Sequence, residues 1–339
     1  MGNGEPLIFS WGLDGKGGGR PLSWESLQEW SAIKKLAPCW IHLVRHASST
    51  REWLNHHSGL DRFICEALAE PETRPRCLSH KDGVILFLRG VNLNSGEEAH
   101  DMLTLRLWAG AEGLVTLVGR RMRSPEDIHV DLQRGQGPKE PGDLLVLLLE
   151  RLTERMAPVI ATMGVQMEEL EQETLVEERH RGERKRQLMI RKRLARLRMA
   201  AVSLRRYLGP QREALNRLAA EPLTWLTDEH RLRLKELVDD SIRLIEDLDE
   251  IRDTAGIVQD QIKNDMSETM NTLLYKLTLF NVIFMPLSFI VGFFGSNVGG
   301  VLWGGNPADP TGQGFLNEGM LLFGVATLEL LAFRWMRWL

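Results

Sequence analysis

Cysteine is scarce in this 339-residue chain, and what little there is sits early: Cys39, Cys65 and Cys77 are its only three. An odd number without close pairing excludes a disulfide scaffold and points to a reducing compartment for that region. Charge of one sign is missing as well. Lys and Arg total 42 against 46 Asp and Glu, a net of −4, which excludes the broadly basic surface of a nucleic-acid binder. The first ten residues have no basic stretch followed by an apolar core, so no secretory leader is read there and the chain is expected to start in the cytosol. No Ser-His-Asp order or pair of catalytic acids emerges. The glycine-rich Gly15-Lys16-Gly17-Gly18-Gly19 lacks the spacing of a phosphate loop. No enzyme and no cofactor are expected.

Long hydrophobic runs are absent until the last fifth of the chain, and there two appear. Leu277 to Phe294 is an 18-residue run without a charge, long enough to cross a hydrocarbon core of about 30 Å. Met320 to Phe333 is the second, extended to Trp335 and Trp338 and interrupted by one charge, Glu329. The expected spans are about 273–295 and 319–338, and the membrane domain about 272–339. Lys263 and Lys276 precede the first span, and Arg334 and Arg337 follow the second. The segment between them, Val298 to Gly319, has no Lys or Arg. The positive-inside rule then puts both termini in the cytoplasm and the short loop outside, in a multi-pass membrane protein. A pair of buried helices in a soluble protein would leave the terminal tryptophans and basic flanks as coincidences.

The length of the chain, at roughly 150 residues per domain, predicts about two structural units. Residues 1–142 are mixed. Short β-rich runs (Leu7–Leu13, Cys39–Arg45, Gly83–Arg89, Leu103–Trp108, Leu114–Val118) alternate with helical stretches Trp24–Leu36 and Pro125–Leu132, and Ala109 to Gly113 reads as a hairpin turn. The fold class is an α+β cytosolic domain, then long helices over 143–271, then two membrane helices. The helical part is expected to break only at Gly182 and at Leu208-Gly209-Pro210. Its charge is partitioned. Val176 to Tyr207 carries 12 Lys/Arg against 3 acids, and Asp228 to Glu268 carries 13 acids against 6 Lys/Arg. With no aromatic residue inside the basic run to stack a base, mutual attraction of two helices explains it better than nucleic acid.

From Asp228 to Phe294 no proline interrupts the pattern before Pro286, so one rod of about 100 Å is predicted. Steps of three and four along it define one face: Asp253, Ile257, Asp260, Asn264, Ser267, Asn271, Leu274, Thr278, Asn281, Met285, Ser288, Gly292 and Gly295. Polar side chains at membrane depth normally face protein or water. Small and polar residues at this spacing serve either as a helix-packing seam or as the wall of a cation path ringed by copies of the same helix. The continuation into Asp260 and Asp253, with Asp265 nearby, favours the path. Leu274 and Met285, the large apolar members, are the expected constrictions.

Beyond that face stand Gly295, Ser296 and Asn297, then Val298-Gly299-Gly300. Phe284-Met285-Pro286-Leu287 followed by Gly-x-Asn resembles the CorA family of two-span divalent-cation transporters, and Asn297-Val298-Gly299-Gly300 is similar to its zinc-transporting ZntB branch. Segments such as Trp40-Ile41-His42-Leu43, Thr73-Arg74-Pro75-Arg76 and Tyr207-Leu208-Gly209-Pro210-Gln211-Arg212 extend that resemblance over nearly the whole chain. The resemblance implies a funnel-shaped homopentamer in the lipid bilayer, a pore lined by five first spans, and a ring of Asn297 at the external mouth. It also suggests proton-linked uptake of zinc, with cadmium and other divalent ions as further cargo. Ser296 departs from the larger apolar residue usual in the family.

Five carboxamides at Asn297 would hold a cation, through its water shell, without the grip of five carboxylates. Histidine ends at His230 and cysteine at Cys77, so the pore has none of the ligands with which proteins bind zinc tightly, and no tightly bound metal is expected there. Glu329, a charge at membrane depth, is either paired with Arg334 or a proton-titrating group. Cys39-x-x-His42 and Cys77-x-x-His80 together have the look of a Cys₂His₂ zinc site. A strand over Cys39–His42 would point the two side chains to opposite faces and forbid it. Three functions stay open on this reading: a zinc transporter, a magnesium or cobalt channel of the same architecture, and a membrane-anchored scaffold.

Overall fold

A computed structural model describes residues 6–30, 37–71, 74–175, 183–295 and 313–335. It divides into two compact units, Met1–Gln259 and Asp260–Leu339. Seven strands make one sheet in the first unit: β1 (Leu7–Leu13), β2 (Gly19–Pro21), β3 (Cys39–Val44), β4 (Arg76–His80), β5 (Gly83–Gly90), β6 (Leu103–Gly110) and β7 (Gly113–Val118). Their order is β2-β1-β3-β7-β6-β5-β4, antiparallel except for the parallel pair β3 and β7.

The sheet has helices on both faces, and the strand sequences say why. Every residue of β5 but Arg89 is buried, and β7 is buried throughout, the near-continuous apolar runs of strands covered twice. Alternate residues feed different cores. Trp40, Leu86, Leu88, Leu105 and Leu107 face one cluster, completed by α4 (Arg123–Gln133), α5 (Pro141–Glu154), the end of α7 (Glu183–Ala220) and the start of α8 (Asp228–Phe294). Ile41, Leu43, Ile85, Phe87 and Val115 face the other, with α1 (Trp24–Leu27), Trp30, α2 (Ser48–His56) and α3 (Arg62–Ala69). Full burial of each such side chain is worth roughly 1.5–3 kcal/mol. Gly113, in the tight turn from β6, has φ +134°, and a Cβ there would lie 1.9 Å from the Cys39 carbonyl. Only glycine lets β7 approach β3 so closely.

Four strand runs expected from sequence match to within two residues, and β1 matches at both ends. Strands β2 and β4 were not expected; β2 is three residues long, and β4 alternates too weakly to stand out. The expected helix Trp24–Leu36 is regular over Trp24–Leu27, and residues 31–36 lie outside the described residues, as do Thr73 and Gly182.

The expected break at Leu208-Gly209-Pro210 is not there. α7 runs through Pro210, the residue that removes the N–H for the Arg206 carbonyl. Arg206 is exposed, so that carbonyl can turn to water, while Leu208 and Gln211 on either side are buried and hold the helix against the sheet. The anchor is specific: the Arg89 amide on β5 donates to Gln211 Oε1 at 2.7 Å.

The charge partition resolves into helix pairs. Arg205 on α7 meets Asp249 on α8 at 3.1 Å, and Arg193 meets Glu173 on α6 (Ala157–Leu175) at 3.2 Å. In the second unit, α8 continues unbroken to Phe294, and α9 covers Gln313–Trp335.

Candidate pore-lining face and its relatives

From Ile251 to Ile262 burial along α8 is one-sided. Ile251, Ala255, Val258 and Ile262 are buried, two residues out of phase with the stripe and therefore on the opposite side of the helix. Every member of the stripe from Asp253 through Asp260, Asn264, Ser267, Asn271, Leu274, Thr278, Asn281, Met285, Ser288, Gly292 and Gly295 is exposed. From Leu274 to Gly295 the stripe rises about 32 Å, the depth of a hydrocarbon core.

Within the segment, local chemistry keeps the helix regular and its neighbours sorted. Phe280 and Phe284 stack at 4.2 Å between ring centroids, one step away from the polar face. Gly292 has open space where a Cβ would be, and the Gly295 amide still donates to the Val291 carbonyl at 2.9 Å, prolonging the helical pattern to the end of the span. Pro286 withholds the N–H that would close on the Val282 carbonyl, leaving a backbone acceptor beside Asn281. Toward the N-terminal end of the stripe Asp260 Oδ1 accepts from Lys263 Nζ at 2.7 Å, and Asp253 meets the neighbouring Arg252 at 2.8 Å. Ser296 and Asn297 lie outside the described residues, as does Trp338.

Glu329 sits on α9 with its Oε2 buried and without a hydrogen-bond partner. No ion pair joins it to Arg334 among the described residues, and the pairing anticipated from sequence does not form within the chain.

The Cys₂His₂ pattern does not assemble among the described residues. Cys39 packs in one core while His42, three residues on, stacks on Phe9 beside the other. All three cysteines are free and buried. Burial pushes the Cys39 and Cys77 thiols up to about 12 and His42 down to about 3, so the thiols resist the deprotonation that zinc requires.

A cluster invisible in the sequence does form. Glu140, Asp143 and His230 bring one ligand atom each within 4.8 Å of one another, across 90 residues of chain. Its hydrogen bonds argue for structure rather than metal. The Thr227 amide donates to His230 Nδ1 at 3.2 Å, so the ring proton sits on Nε2, 3.1 Å from Asp143 Oδ1. A metal on Nε2 would force a proton onto Nδ1, against the Thr227 N–H.

A sheet domain with helices on both faces, followed by one helix that runs uninterrupted into a membrane-length apolar segment and by a second such segment, defines a class of two-span membrane proteins. Comparison with known proteins places the chain within that class. Residues 36–335 match the family model described as CorA-like Mg²⁺ transporter protein, and the chain belongs to that family. It is 33% identical to the divalent cation transporter CmaX of Pseudomonas aeruginosa, covering 98% of this chain and 97% of that one. It is 32% identical to the zinc transport protein ZntB of Cronobacter sakazakii, covering 88% of this chain and 87% of that one. The full-length CmaX structure superposes with a TM-score of 0.81 at 32% identity over the whole of both chains. The CorA magnesium transporter of Methanocaldococcus jannaschii shares the fold, with a TM-score of 0.74 at 18% identity over 97% of this chain and 98% of that one. The family is one of transporters, as the sequence reading expected.

Proposed function

We propose that this protein carries divalent metal cations, zinc foremost, across the bacterial inner membrane through a pore made by five copies of α8. The observation that carries the reading is the phase of that helix. Its small and polar face is exposed from Asp260 to Gly295, and the side opposite is already buried at Ile251, Ala255, Val258 and Ile262. Thr278, Asn281 and Ser288 at membrane depth need water or protein, and a ring of copies supplies both. Kinship with zinc and divalent-cation transporters supports the cargo.

In this pore, Gly295, Ser296 and Asn297 form the outer mouth, where carboxamide oxygens hold a hydrated cation loosely enough to release it. Leu274 and Met285 narrow the path between polar rings. Asp260 and Asp253 draw cations at the cytosolic end, each multiplied fivefold. Both termini face the cytoplasm. Glu329, whose Oε2 has no partner among the described residues, couples a proton gradient to zinc uptake.

Flux into proteoliposomes with Zn²⁺, Cd²⁺ or Mg²⁺, with and without a pH gradient, tests this. Zinc flux is expected to exceed magnesium flux and to respond to the gradient; the reverse preference assigns the pore to magnesium. Asn297→Ala should abolish entry while the purified oligomer keeps its mass, and wild-type flux in that variant would remove the pore assignment. Glu329→Gln keeps the shape and fixes the neutral state. It should lose the gradient dependence and retain residual zinc flux, whereas unaltered gradient dependence takes Glu329 out of the coupling.

A further inference from the structure

The first unit holds a basic cavity that cation transport does not use. Its volume is about 550 Å³, within the range of small-molecule sites. It opens at the end of the sheet where the parallel strands β3 and β7 finish, the position at which open α/β sheets commonly take ligands. Arg45 and His46 follow β3, Arg120 follows β7, Arg89 stands next to last in β5, Arg106 comes from β6, and Arg206 reaches in from α7. Against these five guanidinium groups the cavity wall carries one carboxylate, Asp101, among the described residues.

Arg45, Arg106 and Arg206 are positioned by neutral groups. Arg106 is 2% exposed and donates to the carbonyls of Leu68 at 2.9 Å, of Pro71 at 2.9 Å, and of Glu70, at and just past the end of α3. Its Nε is buried with no partner. Arg45 donates to the Glu70 carbonyl at 3.4 Å and to His46 Nε2 at 3.0 Å, and Arg206 to the Tyr207 hydroxyl at 2.8 Å. No carboxylate lies within 4 Å of the guanidinium groups of Arg45, Arg106 or Arg206 among the described residues. Arg89 lies over the Tyr207 ring, 4.6 Å from its centroid, and Arg120 is paired with Glu97 at 2.7 Å. Burial, then the like charges of Arg45 and Arg89, push the Arg106 guanidinium down to about 10, against a smaller raising effect of the Glu70 carboxylate.

We propose that this cavity binds a small phosphoryl anion of the di- or triphosphate class. Guanidinium forks match phosphoryl oxygens two at a time, and an anion of about three charges matches the guanidinium groups of Arg45, Arg106 and Arg206. A single orthophosphate would fill only part of the space and meet only some of the arginines. Inorganic pyrophosphate and a nucleotide both carry this chemistry. The site lies wholly within residues 45–207 and its test reads binding rather than flux, so it stands or falls apart from the transport reading.

The experiment is calorimetric titration of the full-length protein in detergent, in metal-stripped buffer, with pyrophosphate, ATP, orthophosphate, sulfate and citrate. Pyrophosphate and ATP should bind saturably at one per chain, with orthophosphate and sulfate weaker by about tenfold or more. ATP tighter than pyrophosphate identifies a nucleotide site, and equal affinity a site for the phosphoryl chain alone; either supports the proposal. Arg206→Gln and Arg45→Gln, both at side chains that reach the surface, should each weaken pyrophosphate by about tenfold while the ligand-free thermal midpoint stays at the wild-type value. If one variant fails to fold, the other carries the test. Absence of saturable binding by both pyrophosphate and ATP overturns the proposal, as does citrate binding as tightly as pyrophosphate. So does wild-type affinity in a folded variant.

Discussion

Two tryptophans measure the difference between the halves of this chain. Trp40, on β3, is fully buried, with its Nε1 donating to Thr116 Oγ1 at 2.9 Å; Trp335, near the end of α9, is 87% exposed. The same contrast holds for phenylalanine: Phe87 is buried in the sheet, and Phe289 on α8 is 72% exposed. In the first unit the chain covers its own apolar surface, with helices on both sides of one sheet. The second unit exposes Met285, Phe289, Phe323 and Leu328 in quantities no water-soluble surface carries, so their solvent is lipid or another copy of the chain. Burial thus has two sources here, and a substitution acts according to which one it removes.

The sharpest way to break that comparison is a matched pair. Trp40→Ala should cost about 3–5 kcal/mol in denaturant unfolding of the sheet domain, because it leaves a cavity in the core. Phe289→Ala should leave the same transition within about 0.5 kcal/mol, since its environment lies outside the sheet domain. Equal shifts, followed by fluorescence of the remaining tryptophans in full-length protein, would erase the distinction.

A smaller effect is expected at Leu274, the large apolar residue of the exposed face. Leu274→Ser should wet the narrow point and raise basal flux about threefold to tenfold, or roughly 1 kcal/mol off the barrier. Unchanged or lower flux in liposomes would show that no constriction sits there.

The smallest belongs to the sheet alone. Burial holds His42 down at about 3, with the nearby charge of His129 a lesser cause. Its folded value lies below its unfolded one, so there is no cost above pH 6.5. Stability is then lost as pH falls from 6.5 toward 3, because only the unfolded chain takes the proton. Between pH 6.5 and 5.5 the loss should be about 1 kcal/mol. His42→Gln should flatten that slope in denaturation curves; an unchanged slope would place the proton uptake elsewhere. Such acid sensitivity is a property of a self-buried domain, and the membrane half should not share it.

Much of this was readable without coordinates, for reasons tied to particular residues. The apolar run Leu277–Phe294 has no charge, which is a statement about one-dimensional composition, and α8 carries it as an unbroken helix. Leu7–Leu13 and Gly83–Arg89 read as strands from their β-rich composition, and side chains in a strand point to opposite faces, a purely local rule. The same rule forbade a chelate by Cys39 and His42. The stripe from Asp253 to Gly295 needed only the period of a helix; that its reverse side is the buried one at Ile251, Ala255 and Val258 needed the fold.

Local rules fail where the deciding partner is distant in sequence. Pro210 reads as a helix breaker, yet the pull of buried Leu208 and of Gln211 on the Arg89 amide, 122 residues away, keeps α7 continuous. Strand β4, with its weak alternation, exists because β5 offers it an edge from Arg76 to His80. Glu140, Asp143 and His230 are unremarkable residues until α5 and α8 start side by side, and the backbone of Thr227 then chooses the tautomer that turns a metal-like trio into a closed hydrogen-bond cluster. The arginine cavity is the plainest case. Arg45, Arg89, Arg106, Arg120 and Arg206 share no motif and no spacing, and only the order of strands in the sheet brings their charges to one place. The sequence determined periodicity, membrane length and charge, because these depend on neighbours along the chain. Convergence was left to the tertiary structure, because it depends on which chain ends the sheet puts together.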